Sequence, residues 1–331
     1  MKKDPTMVVD TAAARRPPVF NALFFKRYST LIVLCLLFAA FAIGVDRFLT
    51  VRNVVNIVQQ ISILTIVGVG LTFCFAAREI DLSVGFAASL GGLLVPLLLT
   101  KGVPIPVAIL AGLGAGLVIG LVNAAIVTLV GVPSLIATLA TGSILYGLNF
   151  MISGGRAIYG GIPDGFLMLG QAQIGIFPLI SIIMLAIVVL AWFLMEKSFL
   201  GRYLYAVGGN TRAAELAGIS ARRYRAIGLV LCSVLGVVAG FLLAARLGSG
   251  QPNSGERYLL DGLATVFIGM TMFRPGSATV IGTLFGALFI GIVNNGLNLM
   301  GLDTFVQDVL KGVIIILAVS VISRQTTLKL L

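Results

Sequence analysis

Glu79 and Asp81 interrupt a long apolar stretch in the segment AAREIDLSVG, and a carboxylate pair in such surroundings raises the question of acid–base chemistry. Two carboxylates that share a proton must face each other, whereas residues i and i+2 of a helix point apart, so a dyad is not expected. The chain has no histidine, which removes both a Ser-His-Asp triad and the HExxH zinc motif. It has no GxxxxGK[ST] loop, so it does not hold ATP by a P-loop. Its three cysteines, Cys35, Cys74 and Cys232, lie inside apolar runs without CxxC spacing. They read as small buried hydrophobes, with no metal site and no disulfide framework expected. The chain itself is expected to be no enzyme.

Composition sets the solvent in which these polar groups must sit. The chain is 59% hydrophobic and 11% charged with a mean hydropathy of +1.09, whereas soluble domains carry roughly a quarter charged residues. It reads as an all-α polytopic membrane protein. The formal charge of +11 sits at the ends of apolar runs rather than on one amphipathic face, so membrane lipid is an expected partner and nucleic acid is not.

Apolar runs of about 20 residues fall near 29–46, 54–77, 83–99, 105–129, 134–152, 176–195, 226–247, 259–273, 278–299 and 305–323, about ten spans in all. Residues 1–28, basic and broken by Pro17-Pro18, read as a cytoplasmic tail, and 29–331 as a single transmembrane domain. With both termini in the cytoplasm, the inside collects Arg78, Lys197, Arg202, Arg212, Arg222, Arg223, Arg225, Arg274, Arg324 and Lys329. Only Arg47, Arg52, Lys101, Arg156, Arg246 and Arg257 then fall outside, as the positive-inside rule favours. The run at 259–273 is short enough to be a half-helix.

A repeat is visible: Ile119-Gly120-Leu121-Val122-Asn123 recurs as Ile290-Gly291-Ile292-Val293-Asn294, each time late in a glycine-rich span. In the ten-span arrangement the copies run in opposite directions, an inverted repeat of about five spans per half. Gly112, Gly116 and Gly120, and the pairs Gly236/Gly240 and Gly282/Gly286, read as close helix packing. A carboxylate at the bilayer centre costs about 2.5–3.5 kcal/mol on insertion scales. Glu79, Asp81, Ser83 and Asp261 are therefore span-break or gating candidates, with Asp81 or Ser83 available to cap the helix that follows. Gln59, Gln60, Asn123, Asn294, Asn295 and Asn298 are candidates for a solute path, and interhelical hydrogen bonding is an equal alternative.

The polar interlude GGNTRAAELAGISARRYR, residues 208–225, separates two membrane-length runs. Gly209, Asn210, Arg212, Ala213, Ala214, Glu215, Ala217, Gly218 and Ile219 form a small-residue helix whose exposed surface suits insertion into another protein's groove. Arg222, Arg223 and Arg225 read as anchors of the next span at the headgroups.

Several stretches in order, NVVNIVQQISI (53–63), IDLSVG (80–85), GVPSLIATLATGSILYGL (131–148), GRYLYAVGGNTRAAELAGI (201–219), QPNSGERYLLDGLATVFIG (251–269) and GTLFGALFIGIVNNGLNLMG (282–301), give the chain its resemblance to a family. It resembles the membrane subunits of ribose-type sugar ABC importers, within the branched-chain amino acid and sugar permease superfamily. The resemblance implies an inner-membrane permease that pairs with a second copy or a homologue and receives sugar from a periplasmic binding protein. It implies that residues 208–219 form a coupling helix docking on a cytoplasmic ATPase, often one chain with two fused nucleotide-binding halves, which binds ATP-Mg while this chain binds no cofactor. Two departures stand out: Arg78-Glu79 where the family commonly has Gly-Gly, and Met272-Phe273-Arg274-Pro275 where it commonly has a glycine-rich turn. Arg78 or Arg274 could compensate by meeting an acidic ATPase surface. The rival readings are a branched-chain amino acid permease and an ion-coupled secondary transporter using Glu79 or Asp81.

Overall fold

The computed structural model describes residues 19–303, 305–310, 312–314 and 316, with side chains from residue 30 onward. Most of the expected tail at 1–28 and much of the last expected span at 305–323 lie outside the described residues. Twelve α-helices are numbered among them, and residues 305–310 and 312–314 are helical as well. The first five are α1 (Val19–Gly44), α2 (Val51–Ala76), α3 (Val84–Thr100), α4 (Ile105–Ala125) and α5 (Ser134–Ser153). There follow α6 (Asp164–Gln171), α7 (Leu179–Glu196), α8 (Phe199–Gly209), α9 (Thr211–Leu216), α10 (Ala221–Leu247), α11 (Arg257–Met272) and α12 (Val280–Leu299). Two-residue strands pair antiparallel, β1 (Ile158–Tyr159) with β4 (Ser249–Gly250), and β2 (Gln173–Ile174) with β3 (Phe177–Pro178).

Among the described residues, six helices are long and apolar enough to cross a membrane: α2, α4 with its continuation to Val130, α5, α7, α10 and α12. The ten expected runs are therefore not all of full length. Helix α1 is apolar over Thr30–Gly44, α3 has 17 residues, and α11 has 16. At 1.5 Å per residue α11 reaches about 24 Å, short of a hydrocarbon core of roughly 30 Å.

Polar residues set the helix starts. Thr50, Ser198, Asn210, Ser220 and Thr279 each accept a backbone N–H of the helix they precede, satisfying donors that would otherwise be orphaned. Helix α4 runs into a π-helical stretch, Ile126–Val130, and stops at Gly131, whose φ of 86° is open to glycine at no steric cost.

Helices α2 and α10 form the centre. A side chain on Gly70 would meet the Cys232 carbonyl at 3.2 Å, and one on Gly228 would meet the Phe73 carbonyl at 2.9 Å and the Cys74 Cα at 3.5 Å. Residue numbers rise along α2 as they fall along α10, so the two helices cross antiparallel with backbones in close approach. Around them the packing is exchanged: α10 lies on α3 and α4, while α2 lies on α11 and α12. The apolar cores follow the same division. Asn123, late in α4, donates to the Ser83 hydroxyl at the start of α3 (2.8 Å), and Asn294, its repeat counterpart in α12, donates to Asp261 in the first turns of α11 (3.0 Å). Equivalent helices that run antiparallel and exchange partners are what an inverted repeat produces.

The expected glycine stripes are packing devices. Gly112 lies against Val95, Gly116 against Val234, Gly120 against Val230 and Gly236 against Val84, and side chains at Gly240 and Gly286 would run into the carbonyls of Ala88 and Thr265. In lipid, where apolar burial does not drive association, such backbone approach supplies the dispersion energy that holds helices together.

Candidate functional site

Two concave regions lie at opposite ends of α2, α10 and α12. The first, a cavity of about 470 Å³, is lined at one end by Gln60 and Leu64 of α2, Leu243 and Arg246 of α10, and Gly291, Asn294 and Asn298 of α12. The loop before α11 and its first turns add Gln251, Asn253, Ser254, Arg257, Tyr258 and Asp261. Amides, hydroxyls and a carboxylate dominate the wall, with two guanidinium groups. Such groups offer donors and acceptors for a hydroxylated solute without binding it by one strong charge. The loop is held close by Gly255, whose N–H donates to Ser89 Oγ of α3 (2.9 Å). Gln59 does not line the cavity; it accepts from Arg246 Nε (3.3 Å) and so steadies a residue that does.

The solute-path candidates are thus divided. Gln60, Asn294 and Asn298 share the cavity, joined there by Asp261. Asn123 and Asn295 do not line it. Asn123 is fully buried between α4 and the start of α3, and Asn295 exchanges two hydrogen bonds of 2.9 Å with Asn53 of α2. Asn123 bonds Ser83 at the start of α3 and Asn295 bonds Asn53, whose amide also donates to the Phe48 carbonyl (2.8 Å), which is the interhelical role.

The break between α2 and α3 is stitched rather than loose. Asp81, fully buried, accepts from the backbone N–H (2.8 Å) and hydroxyl (2.5 Å) of Ser83, and from Ser233 Oγ of α10 (3.4 Å). Ser83 stands at the N-cap of α3 but makes no capping bond with its side chain, which is occupied by Asp81 and Asn123; the expected cap is thus replaced by a tertiary bond. Ser134 and Thr138 of α5 receive the N–H groups of Ile80 (3.3 Å) and Leu82 (2.9 Å). Glu79 and Asp81 lie in the irregular segment between helices, so the helical geometry used to separate them does not apply. Their separation comes from different partners, because Glu79 pairs with Arg225 of α10.

Two ion pairs bear on the expected roles of the arginines. Arg225 is turned inward to a buried carboxylate and is not a headgroup anchor. Arg274 makes a two-pronged bond to Glu196 at the end of α7 (2.9 and 3.2 Å), with its side chain still more than half exposed. Arg78 is exposed at φ 63°, the left-handed region that glycine occupies without strain.

The second concave region, about 640 Å³, lies beside these pairs and is lined by Phe75, Arg78, Glu79, Tyr205, Gly208 and Arg274 among others. Tyr205 of α8 donates to the Ala278 carbonyl (2.9 Å); burial above all, with Glu196 nearby, pushes its hydroxyl up to about 12. Next to it projects the expected coupling segment, which is shorter than one helix over 208–219. Gly208 and Gly209 end α8, Asn210 accepts from the Ala213 N–H (3.0 Å), and α9 covers only Thr211–Leu216. Gly218, at φ 81°, closes it. Ala214 packs inward against Val207 and Ala221; Arg212, Ala213, Glu215, Ala217 and Gly218 are exposed and Ile219 is half-buried. Leu216 is 85% exposed, an apolar residue with no partner in the fold that attention to small residues passed over.

Cys74 and Cys232 are buried as expected, whereas Cys35 is exposed on α1, where its surroundings are lipid rather than protein if that helix lies in a membrane. Cys74 and Cys232 also meet Asp81, a convergence that their spacing in sequence does not reveal.

The profile of the family described as "branched-chain amino acid transport system / permease component" matches residues 53–319. The ribose import permease protein RbsC of Escherichia coli K12 is 35% identical over 322 residues, covering 96% of this chain and all of the relative. The protein of the same name in Bacillus subtilis 168 is 38% identical over 273 residues, covering 82% and 85% of the two chains. The D-allose transport system permease protein AlsC of E. coli K12 is 33% identical over 317 residues, covering 95% and 97%. No solved structure matches. The chain therefore belongs to the branched-chain amino acid transport system permease family, as a multi-pass permease component.

Proposed function

We propose that this chain is the permease subunit of an ATP-binding-cassette importer for a sugar, a pentose, hexose or related polyol, in a bacterial inner membrane with both termini cytoplasmic. A periplasmic binding protein delivers the sugar, and a second permease copy or homologue completes the membrane unit. A partner ATPase, in one chain with two nucleotide-binding halves or in two, binds ATP-Mg and docks on α9. The observation that carries this reading is the division of the molecule into a cavity rich in amide and hydroxyl groups at one end and an exposed small helix at the other. Relatives named for ribose and allose favour a sugar over an amino acid as the solute.

In this account the chain does no covalent chemistry. Gln60, Asn294 and Asn298 exchange hydrogen bonds with sugar hydroxyls in place of water, which keeps binding weak enough to release the solute onward. Closure of the ATPase moves α9. Because Ala214 is packed on Val207 and Ala221, the push passes to α8 and α10, and α10 carries it along the antiparallel crossing with α2. Glu79–Arg225 and Glu196–Arg274 tie the helix ends that must move as units.

The test is purification of the tagged chain from its native membrane in mild detergent, with its stoichiometric partners identified by mass spectrometry. An ABC ATPase is the expected partner. A solitary chain that transports under an ion gradient overturns the reading, and uptake blocked by branched-chain amino acids but not by sugars overturns the solute assignment.

A further inference from the structure

Cys74 on α2, Asp81 in the α2–α3 break and Cys232 on α10 come together at the centre of the bundle. Their sulfur and carboxylate oxygen atoms all lie within 4.8 Å of one another, and all three residues are completely buried. They belong neither to the cavity lined by Gln60 and Asn294 nor to the α9 surface. Cys74 and Asp81 are near in sequence, but Cys232 comes from a distant helix, so the complete group is a product of the fold.

We propose that Cys74, Asp81 and Cys232 form a binding site for a thiophilic divalent cation of the Zn²⁺ class, which clamps α2 to α10. Two sulfurs and one carboxylate oxygen are a donor set that suits such an ion and leaves a fourth position open. The carboxylate is already oriented from outside the group: Ser83 holds one oxygen through its N–H and hydroxyl, and Ser233 reaches the other. Partners of this kind around a ligand fix its direction and raise its affinity. Without the ion the Cys74 thiol donates to the Gly228 carbonyl (3.3 Å).

Binding is redox-neutral: each thiol gives up its proton, so one divalent ion enters as two protons leave, and two S–metal bonds replace two S–H bonds. The 640 Å³ concavity is lined by sequence neighbours of the group, Phe75, Ala76 and Ile80. The consequence follows from position. Any transport cycle that slides α2 against α10 must change the distances in this group, so an ion that fixes them holds the permease in one state.

The experiment uses the full chain carrying Cys35→Ser, so that the two buried thiols are the only ones. The purified protein is titrated with Cd²⁺ while the ultraviolet thiolate-to-cadmium absorption is followed, and uptake is measured with and without Cd²⁺. The expected result is saturation at one ion per chain and loss of uptake. Adding Cys74→Ala or Cys232→Ala should abolish the absorption, weaken binding by more than the roughly 10-fold seen for residues behind a ligand, and leave uptake insensitive to Cd²⁺. Absence of the band in the folded Cys35→Ser protein overturns the proposal whether or not the further variants fold. So does inhibition that persists when both buried cysteines are alanine.

Discussion

The two ends of the bundle are built from different polar chemistry. At the cavity end the wall is mostly amide and hydroxyl, and its best-placed side chains, Asn294, Asn298 and Gln60, are neutral. At the α9 end the polar contacts are ion pairs, Glu79–Arg225 and Glu196–Arg274, around an exposed helix bearing Leu216. Neutral groups exchange partners at low cost, which suits a solute that must enter and leave. Ion pairs hold helix ends in register, which suits the transmission of force. The proposed solute cavity and the proposed coupling surface are thus separated by the length of α2 and α10, whose crossing is lined by glycines.

The comparison breaks most sharply at α9. Leu216→Glu or Ala213→Arg should remove about 2 kcal/mol or more of docking energy, roughly 30-fold in ATPase affinity. Pull-down of the ATPase should fail, and sugar-stimulated ATP hydrolysis should disappear, while the permease elutes as a folded protein. At the other end, Asn294→Leu should cut uptake about 10-fold, the worth of roughly 1.4 kcal/mol, with ATPase docking unchanged. A variant that altered both properties equally would contradict the separation.

Smaller effects sharpen the role of the ion pairs. Glu79→Gln leaves a charged partner behind in a largely buried setting and should cost about 1–3 kcal/mol of stability in detergent unfolding; adding Arg225→Met should recover part of it. Tyr205 supplies a pH test. Its folded-state hydroxyl titrates near 12, above the ordinary 10, so the fold favours the neutral form. Between those values the unfolded chain has lost the proton and the folded chain keeps it, so stability falls as pH rises from about 10 to 12. Tyr205→Phe should flatten that fall in an alkaline unfolding series. Arg274→Ala removes a pair more than half exposed on the arginine side and should cost less than about 1 kcal/mol.

Much of the fold was legible because lipid imposes simple demands. The long apolar runs became α2, α4, α5, α7, α10 and α12, and the repeated Ile-Gly-x-Val-Asn motif located two amides with matching roles, Asn123 on Ser83 and Asn294 on Asp261. The glycine stripes were legible for the same reason, since close approach leaves a four-residue spacing. Partnerships across the chain were not. Nothing near Arg225 in sequence points to Glu79, 146 positions away, and a basic residue at a span end has two physical outlets, headgroups or a buried carboxylate. The amides were equally ambiguous: Asn295 and Asn294 are neighbours, yet helical geometry turns one to Asn53 and the other to the cavity. Leu216 was hidden in a segment judged by its small residues, because exposure depends on what the fold leaves uncovered.

The most direct test of the account is solute uptake in proteoliposomes holding this chain with its co-purified ATPase and binding protein, comparing ATP with an imposed ion gradient. The account predicts sugar uptake that requires ATP and is lost in Leu216→Glu while sugar still binds the delivery protein. Uptake that follows the ion gradient without ATP, or that survives Leu216→Glu unchanged, would contradict it.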